Sequence, residues 1–228
     1  MNIEDRRRAS SHVLLEDPDV LDHASIVLDD DLEHHLRRVL RLRHGDEVSA
    51  TDGAGRWRMT TVRLNASSLR LDAIGDVVTE SRSDHVTIAT SIPKGDRLDW
   101  LVQKTVEIGV DRIVFMEAER SAVRWKADRS VKQLARLRRI ADESMRQSRR
   151  TWRTELLGPV PAADVLPGAA IAEPGGEPMR HESVIAIGPE GGWTDGELAS
   201  SPRRVGLGSN ILRVETAAVV AATLRVFL

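Results

Sequence analysis

Two glycine-rich turns near the end of the sequence carry the residues best suited to binding a ligand. The first is IGPEGGWTDGE at 187–197, which begins with the last residue of the apolar run SVIAI, and the second is LGSNILRVETA at 207–217. Glycine lets the backbone approach a ligand closely and present its N–H and C=O groups. Each turn also contains an acid, Glu190 or Glu215. One such turn alone favours a plain strand-to-helix connection, whereas two of the same design predict a shared binding site.

Residue spacing excludes several common phosphate-binding loops. A Walker A loop needs Gly-Lys-Ser/Thr, but Gly192 is followed by Trp193. A dinucleotide fingerprint needs G-x-G-x-x-G in the first strand–helix unit, and GPEGG does not match it. DGAG at 52–55 superficially resembles the glycine turn of some methyltransferases. It lies between two hairpin strands, however, which predicts an ordinary β-turn.

Metal sites and membrane segments are not expected either. The chain has no cysteine, and its seven histidines include no H-x-x-x-H pair. His34 and His35 are adjacent and would point to different faces of a helix, so no metal cofactor is predicted. The N-terminal residues lack a secretory h-region, and no apolar run has the length of a membrane span. A cytoplasmic protein with no membrane partner is therefore expected.

The elements that position the two turns alternate between strands and helices after about residue 80. Apolar runs predict buried strands at 85–92, 111–116, 169–173, 183–187 and 203–208. Helical spacing predicts a helix that ends at Gly109 and buries Leu98, Leu101, Val102, Thr105 and Val106. Further helices are predicted over about 129–149 and 215–227, and Thr194-x-x-Glu197 is a capping box that starts a shorter one. This alternation predicts an α/β domain with a mainly parallel sheet.

Residues 1–80 have a different pattern and predict a separate domain. Apolar and polar residues alternate through 46–74 around turn signals, as in short antiparallel strands. Ahead of them, a short amphipathic helix is predicted from the helical spacing of Leu32, Leu36, Val39 and Leu40. A small β-barrel with one helix fits this pattern. The predicted division is therefore 1–80 and 81–228.

Positive charge is concentrated in one segment. Residues 120–153 contain twelve basic and three acidic side chains, a net charge of +9 in a chain whose total is −2. A local basic field in a nearly neutral protein indicates contact with a polyanion such as RNA. A solvated helix face is the alternative explanation.

Taken together, these motifs resemble the RsmE family, which are SPOUT-class methyltransferases of N3 of a uridine in 16S ribosomal RNA. The matching segments are IGPEGG, LG-x-x-ILR-x-ETA, PKGDR at 93–97, QKTVEIGV at 103–110, ERS and RW at 119–125, and QSRR at 147–150. The N-terminal HHLRRVLRLRHGDEV is similar to the PUA-like RNA-binding barrel of that family. The chain differs from the family pattern at Asn210, where arginine is frequent, and at Arg146, where glutamate is frequent.

The resemblance implies a fold, a cofactor and an assembly that the residue pattern does not establish. A PUA-like barrel would be followed by a SPOUT domain with a trefoil-knotted, mainly parallel sheet, and two chains would form a homodimer through the knot. The methyl donor would be S-adenosylmethionine, without a metal. By motif, the residues implied around the cofactor are Ile187, Gly188, Glu190, Gly191, Leu207, Gly208, Ile211 and Leu212. The AEP turn at 172–174 is a weaker candidate for a third wall.

Methyl transfer to uridine N3 needs the base aligned with the methyl group and its N3 proton removed. The candidate catalytic residues are Arg213, Glu215 and Glu190, each of which either contacts the reacting groups or only stabilises its turn. The candidate RNA-binding residues are Lys94, Arg120, Arg124, Arg149 and Arg150, because arginine suits bidentate phosphate contacts. Trp125 and Trp193 either stack on a base or pack in the core.

The resemblance therefore predicts an S-adenosylmethionine-dependent 16S rRNA uracil-N3 methyltransferase whose partner is 16S rRNA in the 30S subunit. Two alternatives stay open at this point. One is another SPOUT methyltransferase acting on tRNA or on a ribose 2′-hydroxyl. The other is a non-catalytic RNA-binding assembly factor. The presence of GPEGG and ILRVETA argues against this alternative.

Overall fold

A computed structural model describes residues 3–65, 68–82 and 84–227. The chain divides into two compact units. The first consists of residues 1–82 and 145–153, and the second of residues 83–144 and 154–228. The predicted division at residue 80 assigned 145–153 to the second domain, whereas its contacts place this segment in the first unit.

The first unit is built on a five-stranded sheet. Its strands are β1 (Ser11–Leu14), β2 (Ser25–Val27), β3 (Glu47–Thr51), β4 (Arg56–Leu64) and β5 (Leu69–Thr79), in the order β1-β3-β4-β5-β2. Strand β1 runs parallel to β3, and the other neighbours are antiparallel. The antiparallel strands predicted within 46–74 are confirmed, and β4 and β5 are longer than predicted, with 9 and 11 residues. The turn at 52–55 joins β3 to β4, and Asp52 Oδ1 accepts hydrogen bonds from the Ala54 and Arg56 amides.

Two short helices accompany this sheet, α1 (Ile3–Arg8) and α2 (Asp30–His34). Helix α2 continues directly into a π-helical turn over His35–Val39. The predicted apolar stripe is only partly correct: Leu36 is fully buried, but Val39 and Leu40 are 60% and 43% exposed. A π-turn places more residues in each turn than an α-helix, so it rotates the following side chains away from the predicted face.

The segment 145–153 is attached to the strands of the first unit by side chains on both partners. His12 Nε2 lies 3.0 Å from the Arg150 carbonyl, and Nδ1 lies 2.7 Å from Ser49 Oγ. Because a carbonyl only accepts, the neutral ring carries its proton on Nε2. At the β3–β4 turn, a Cβ on Gly55 would lie 2.2 Å from the Trp152 ring, so only glycine allows this contact.

The second unit contains a six-stranded sheet in which every pair is parallel. Its strands are β6 (Thr87–Ser91), β7 (Arg112–Glu117), β8 (Glu155–Pro161), β9 (Ala170–Pro178), β10 (Val184–Ile187) and β11 (Arg203–Gly206). Their order is β11-β9-β10-β6-β7-β8. The predicted parallel α/β fold is confirmed, and β8 is the strand that the sequence pattern did not reveal. The trefoil knot stays a prediction, because strand order and register do not define how the chain is threaded.

The helices of the second unit are α3 (Arg97–Ile108), α4 (Ala127–Ser148), α5 (Asp195–Ser200) and α6 (Val214–Phe227). The last residues of α4 belong to the first unit. Helix α3 ends at Gly109, which adopts φ 118°, and it buries the five residues of the predicted stripe. Glycine accepts this left-handed conformation without a Cβ clash, which explains the sharp stop.

Candidate cofactor and reaction site

A cavity of about 360 Å³ lies at the carboxyl ends of β10 and β11, beside residues 172–174 of β9. Two of its walls are the chain segments that follow β10 and β11, as expected for ligand sites in parallel sheets. All eight residues predicted around the cofactor line it, namely Ile187, Gly188, Glu190, Gly191, Leu207, Gly208, Ile211 and Leu212. Residues 172–174 line it as well, but they lie within β9 and do not form the turn predicted there. The structure therefore brings both glycine turns to one cavity, which has a volume typical of small-molecule sites.

Trp193 shapes the first glycine turn from inside. Its ring is 6% exposed, and its Nε1 donates to the Ala172 carbonyl at 3.3 Å. A Cβ on Gly188 would lie 2.7 Å from this ring. Gly188 is thus required for packing of the tryptophan, and the tryptophan in turn connects the first turn to the 172–174 wall. Of its two alternatives, core packing describes Trp193.

The segment after β7 holds the first glycine turn in place. Arg120 Nη1 donates to the carbonyls of Trp193, at 3.0 Å, and Gly191, at 3.4 Å. The predicted capping box of α5 is present, with Thr194 and Glu197 bonded to each other's backbone amides. Glu197 also accepts from the Glu119 amide at 2.9 Å. Arg120, which the sequence suggested for RNA, therefore has a second role beside the cofactor turn.

Both candidate acids contact one arginine that the sequence analysis did not single out. Arg97 Nη1 lies 3.7 Å from Glu190 Oε1, and Arg97 Nε lies 3.7 Å from Glu215 Oε1. These distances describe ion pairs without hydrogen bonds. Glu190 is 41% exposed, whereas the Glu215 side chain is only 11% exposed. The signal that would have identified Arg97 is its position at the end of the PKGDR match.

Neither Glu215 nor Arg213 lines the cavity, although Val214 between them does. Glu215 nevertheless has an unusual feature. Its second oxygen, Oε2, is buried and has no hydrogen-bond partner among the described residues. A buried carboxylate oxygen without a donor is costly unless a ligand supplies one. The third catalytic candidate, Arg213, is exposed immediately before α6.

The five candidate RNA-binding residues fall into two groups. Lys94, Arg120 and Arg124 belong to the second unit, and Arg149 and Arg150 belong to the first. Lys94 is exposed on the loop after β6. Arg124 Nη2 donates to the carbonyls of Ala118 and Glu119 at 3.0 and 3.2 Å, so it stabilises the segment that follows β7.

The arginines of the first unit also donate to backbone carbonyls. Arg149 Nη2 donates to Ala9 O, and Arg150 Nε donates to Trp152 O, both at 2.6 Å. Arg149 has a left-handed backbone with φ 58°. Burial, together with the positive charge of Arg6, lowers the pKa of the Arg149 guanidinium. The structure thus gives both residues a role inside their own unit, and phosphate contacts by either stay a prediction.

Within 3–65, 68–82 and 84–227, no group of three or more histidine, aspartate or glutamate side chains is arranged to hold a metal ion. The helices of these same ranges are all too short or too polar to cross a membrane.

Comparison with known proteins identifies the family. The family model described as an RNA methyltransferase domain matches residues 79–225, more than half of the chain. The chain belongs to this RNA methyltransferase family. A second family model, described as an RNA methyltransferase PUA domain, matches residues 28–71.

Individual relatives of this RNA methyltransferase agree with that membership. The chain is 30% identical to ribosomal RNA small subunit methyltransferase E of Synechocystis, over 90% of this chain and 73% of the relative. It is 28% identical to the protein of that name from Mycobacterium bovis, over 87% and 84%. The crystal structure of ribosomal RNA small subunit methyltransferase E from Neisseria gonorrhoeae, bound to S-adenosyl methionine, is 28% identical, with a TM-score of 0.77 over 93% and 94% of the two chains.

Proposed function

We propose that this protein transfers a methyl group from S-adenosylmethionine to N3 of a uridine in 16S rRNA of the small ribosomal subunit. The observation that carries the proposal is the single cavity formed by both glycine turns in a chain of this family. Relatives named for the small-subunit rRNA support the substrate, and the Neisseria structure supports the donor.

The residues present fit this cofactor. Backbone groups of the two turns provide hydrogen-bond donors and acceptors, and Ile187, Leu212 and Val214 provide apolar surface. Gly208 has φ 137°, a conformation that side chains rarely adopt, so the second turn depends on glycine at that position. When bound, S-adenosylmethionine supplies an electrophilic methyl group on a sulfonium. We assign its binding to the eight cavity residues predicted from the two turns.

We assign proton removal to Glu215. Its buried Oε2 lacks a hydrogen-bond donor, and the N3–H group of uridine is a donor. Methylation at N3 requires that this proton be removed. Arg97 attracts the other carboxylate oxygen and so orients the side chain. Glu190 also contacts this guanidinium, but from a more exposed position, where an ion pair contributes little to the free energy of unfolding. Arg213 at the start of α6 is proposed to contact the RNA close to the target base.

The remaining parts of the proposal concern the assembly and its location. The PUA-like unit would bind RNA, and two chains would form a homodimer through the second unit. Lys94, Arg120, Arg124, Arg149 and Arg150 are retained as candidate RNA contacts. Action on the 30S subunit would place the protein in the cytoplasm.

The site is tested with Glu215→Gln, which keeps the shape of the side chain but removes its basicity. We expect kcat to fall by about 10²- to 10⁴-fold, the usual contribution of a general base, with S-adenosylmethionine affinity unchanged. Glu190→Gln is the matched control and should retain most activity, because its turn serves the cofactor site mainly through backbone groups. A larger loss in Glu190→Gln would transfer the role to that residue.

The substrate is tested in the cell. N3 methylation blocks base pairing, so reverse transcriptase should stop at the modified uridine of 16S rRNA and read through after deletion of the gene. An unchanged stop would refute the assignment to this RNA. Nucleoside analysis of the methylated product then separates base from ribose methylation. Failure to bind S-adenosylmethionine in calorimetry would favour the non-catalytic assembly factor.

A further inference from the structure

A second cavity of about 400 Å³ lies in the second unit, at the carboxyl end of β6. Its walls come from the 92–96 loop, the first turn of α3, the residues before α4, and the first half of α4. The side chains that matter here are Lys94, Leu98, Asp99, Trp125, Gln133 and Arg136. None of them lines the first cavity.

Trp125 gives this cavity an aromatic surface in a fixed position. Its ring packs against Phe115, with ring centroids 5.3 Å apart. Its backbone amide donates to Glu117 Oε1 at 3.1 Å, which anchors the residue to β7. The ring is only half-buried, and the apolar Leu98 lines the same cavity. A preordered aromatic face of this kind is the usual surface on which a nucleic-acid base stacks.

The polar side chains of the cavity are only partly satisfied. Arg136 pairs with Asp99 through Oδ2 and donates to Gln133 Oε1 at 3.2 Å. The NH₂ group of Gln133 is then left as a donor. Asp99 Oδ1 is buried and has no hydrogen-bond partner among the described residues. The cavity therefore offers amide donors and an unused carboxylate acceptor close to an aromatic ring.

The charges around the cavity favour a nucleotide that belongs to a nucleic acid. Lys94 is exposed at the rim, and no carboxylate partner is found for it in the described part of the chain. Arg129 and Lys132 are exposed on α4, each four residues before a cavity residue and so on the same side of the helix. This row of cations continues beyond the cavity, as contact with successive phosphates requires.

The same loop connects this cavity to the reaction site. Lys94 and Asp96 line the second cavity, and the next residue is Arg97, whose guanidinium contacts Glu190 and Glu215. A nucleotide in the second cavity would therefore be a close neighbour of the base that reacts. It is a different nucleotide, because the cavity contains neither of the two acids.

We propose that the second cavity binds one nucleotide of the substrate RNA that flanks the methylated uridine. The base stacks on Trp125, its edge accepts from the Gln133 amide, Lys94 contacts the phosphate, and Asp99 Oδ1 accepts from the ribose 2′-hydroxyl. The last contact would distinguish RNA from DNA at this position. This inference rests on the proposed function for the identity of the RNA.

The chain offers matched control variants for this site. Trp125→Leu removes the stacking surface, and Trp100→Leu removes a 42% exposed tryptophan from α3 outside the cavity. Lys94→Ala removes the rim cation, and Lys104→Ala removes a lysine that pairs with Glu107 on α3. Lys94 is an exposed loop residue, so its variant tests the site even if Trp125→Leu folds poorly.

The first measurement is steady-state methylation of 30S subunits isolated from a strain that lacks the gene. We expect Trp125→Leu to raise KM for the subunit by about tenfold, within the range known for base stacking, with kcat and S-adenosylmethionine affinity unchanged. Lys94→Ala should raise KM severalfold, and both controls should match the wild type. Equal KM values for Trp125→Leu and Trp100→Leu would overturn the proposal, as would a parallel loss of S-adenosylmethionine affinity.

The second measurement is independent of methylation. Binding of a short RNA containing the target uridine is compared with copies that carry one 2′-deoxy substitution at each position in turn. We expect one flanking position at which the substitution weakens binding to the wild type but not to Asp99→Ala, which has no acceptor for the 2′-hydroxyl. If no such position exists, the subsite is refuted even in an active enzyme. If it exists but no methylation occurs, only the proposed function fails.

Discussion

In each unit of this protein, side-chain donors bond to backbone carbonyls and so fix a segment of the chain. In the second unit, Arg120 donates to carbonyls of the 188–193 turn, which lines the cofactor cavity. In the first unit, Arg149 donates to the Ala9 carbonyl, and His12 donates to the carbonyl of Arg150. The chemistry is alike, yet one set of bonds shapes a ligand site and the other completes a domain. The function of a basic residue is thus determined by the location of its partner carbonyl.

The largest expected effect concerns acid stability of the first unit. The pKa of His12 is lowered from 6.5 to about 4, chiefly by burial; the bond to the Arg150 carbonyl opposes this shift, and the positive charges of Arg6 and Arg149 add to it. Between these values the unfolded state binds a proton that the folded state does not. The free energy of unfolding therefore has its full value above pH 6.5 and falls by about 3 kcal/mol as the pH drops to 4.

Hydrogen exchange of the β1 and β3 amides between pH 7 and pH 4 measures this loss locally. His12→Gln keeps a donor for the Arg150 carbonyl but has no group that titrates in this range. It should be less stable at pH 7 and nearly independent of pH in this interval. An identical slope in the variant and the wild type would show that His12 is not the group that titrates.

The next effect tests the cofactor turn. Gly188→Ala places a methyl group 2.7 Å from the Trp193 ring, and overpacking of this kind costs about 1–3 kcal/mol. Because Trp193 lines the cavity, we expect S-adenosylmethionine affinity to fall about 5- to 150-fold in calorimetry. Gly196→Ala is the control, since its nearest neighbouring atom is Thr194 Oγ1 at 4.0 Å. Equal affinities of the two variants would mean that Trp193 does not determine the shape of the cavity.

The smallest effect separates the two arginines. Arg120→Ala should weaken S-adenosylmethionine binding about fivefold, the value of one hydrogen bond near 1 kcal/mol, and leave exchange in the first unit unchanged. Arg149→Ala should accelerate exchange in the first unit and leave cofactor affinity unchanged. If both variants changed only RNA affinity, the phosphate contacts predicted from the sequence would be the correct role for both arginines. Their carbonyl bonds would then not distinguish the two units.

Much of the fold follows from local sequence signals. Helix α3 has its apolar stripe and the glycine that ends it in one stretch of chain, and the buried strands are short apolar runs, so each element could be predicted by itself. The cofactor cavity could be predicted because its walls are consecutive residues of two turns. In contrast, the contacts of Arg97 and the second cavity depend on elements distant in sequence, which no local pattern reveals.

The basic segment 120–153 shows the same limit. Its charge indicated RNA, but charge does not reveal that Arg120, Arg124, Arg149 and Arg150 each have a carbonyl partner inside the protein. The sequence also gave no sign that 145–153 belongs with the first 82 residues. That assignment depends on contacts such as the one between Gly55 and Trp152, which only the folded chain brings together.

The two-part composition of the first unit limits how this protein can be recombined. A gene fragment ending at Arg82 would encode all five strands of the first unit. It would lack Trp152, which packs on Gly55, and Arg150, whose carbonyl bonds to the His12 ring. Exchange of the N-terminal module between relatives would therefore succeed only if residues 145–153 were exchanged with it. Because Gly55 and Trp152 come from different pieces of this unit, a substitution at either residue must stay compatible with the other.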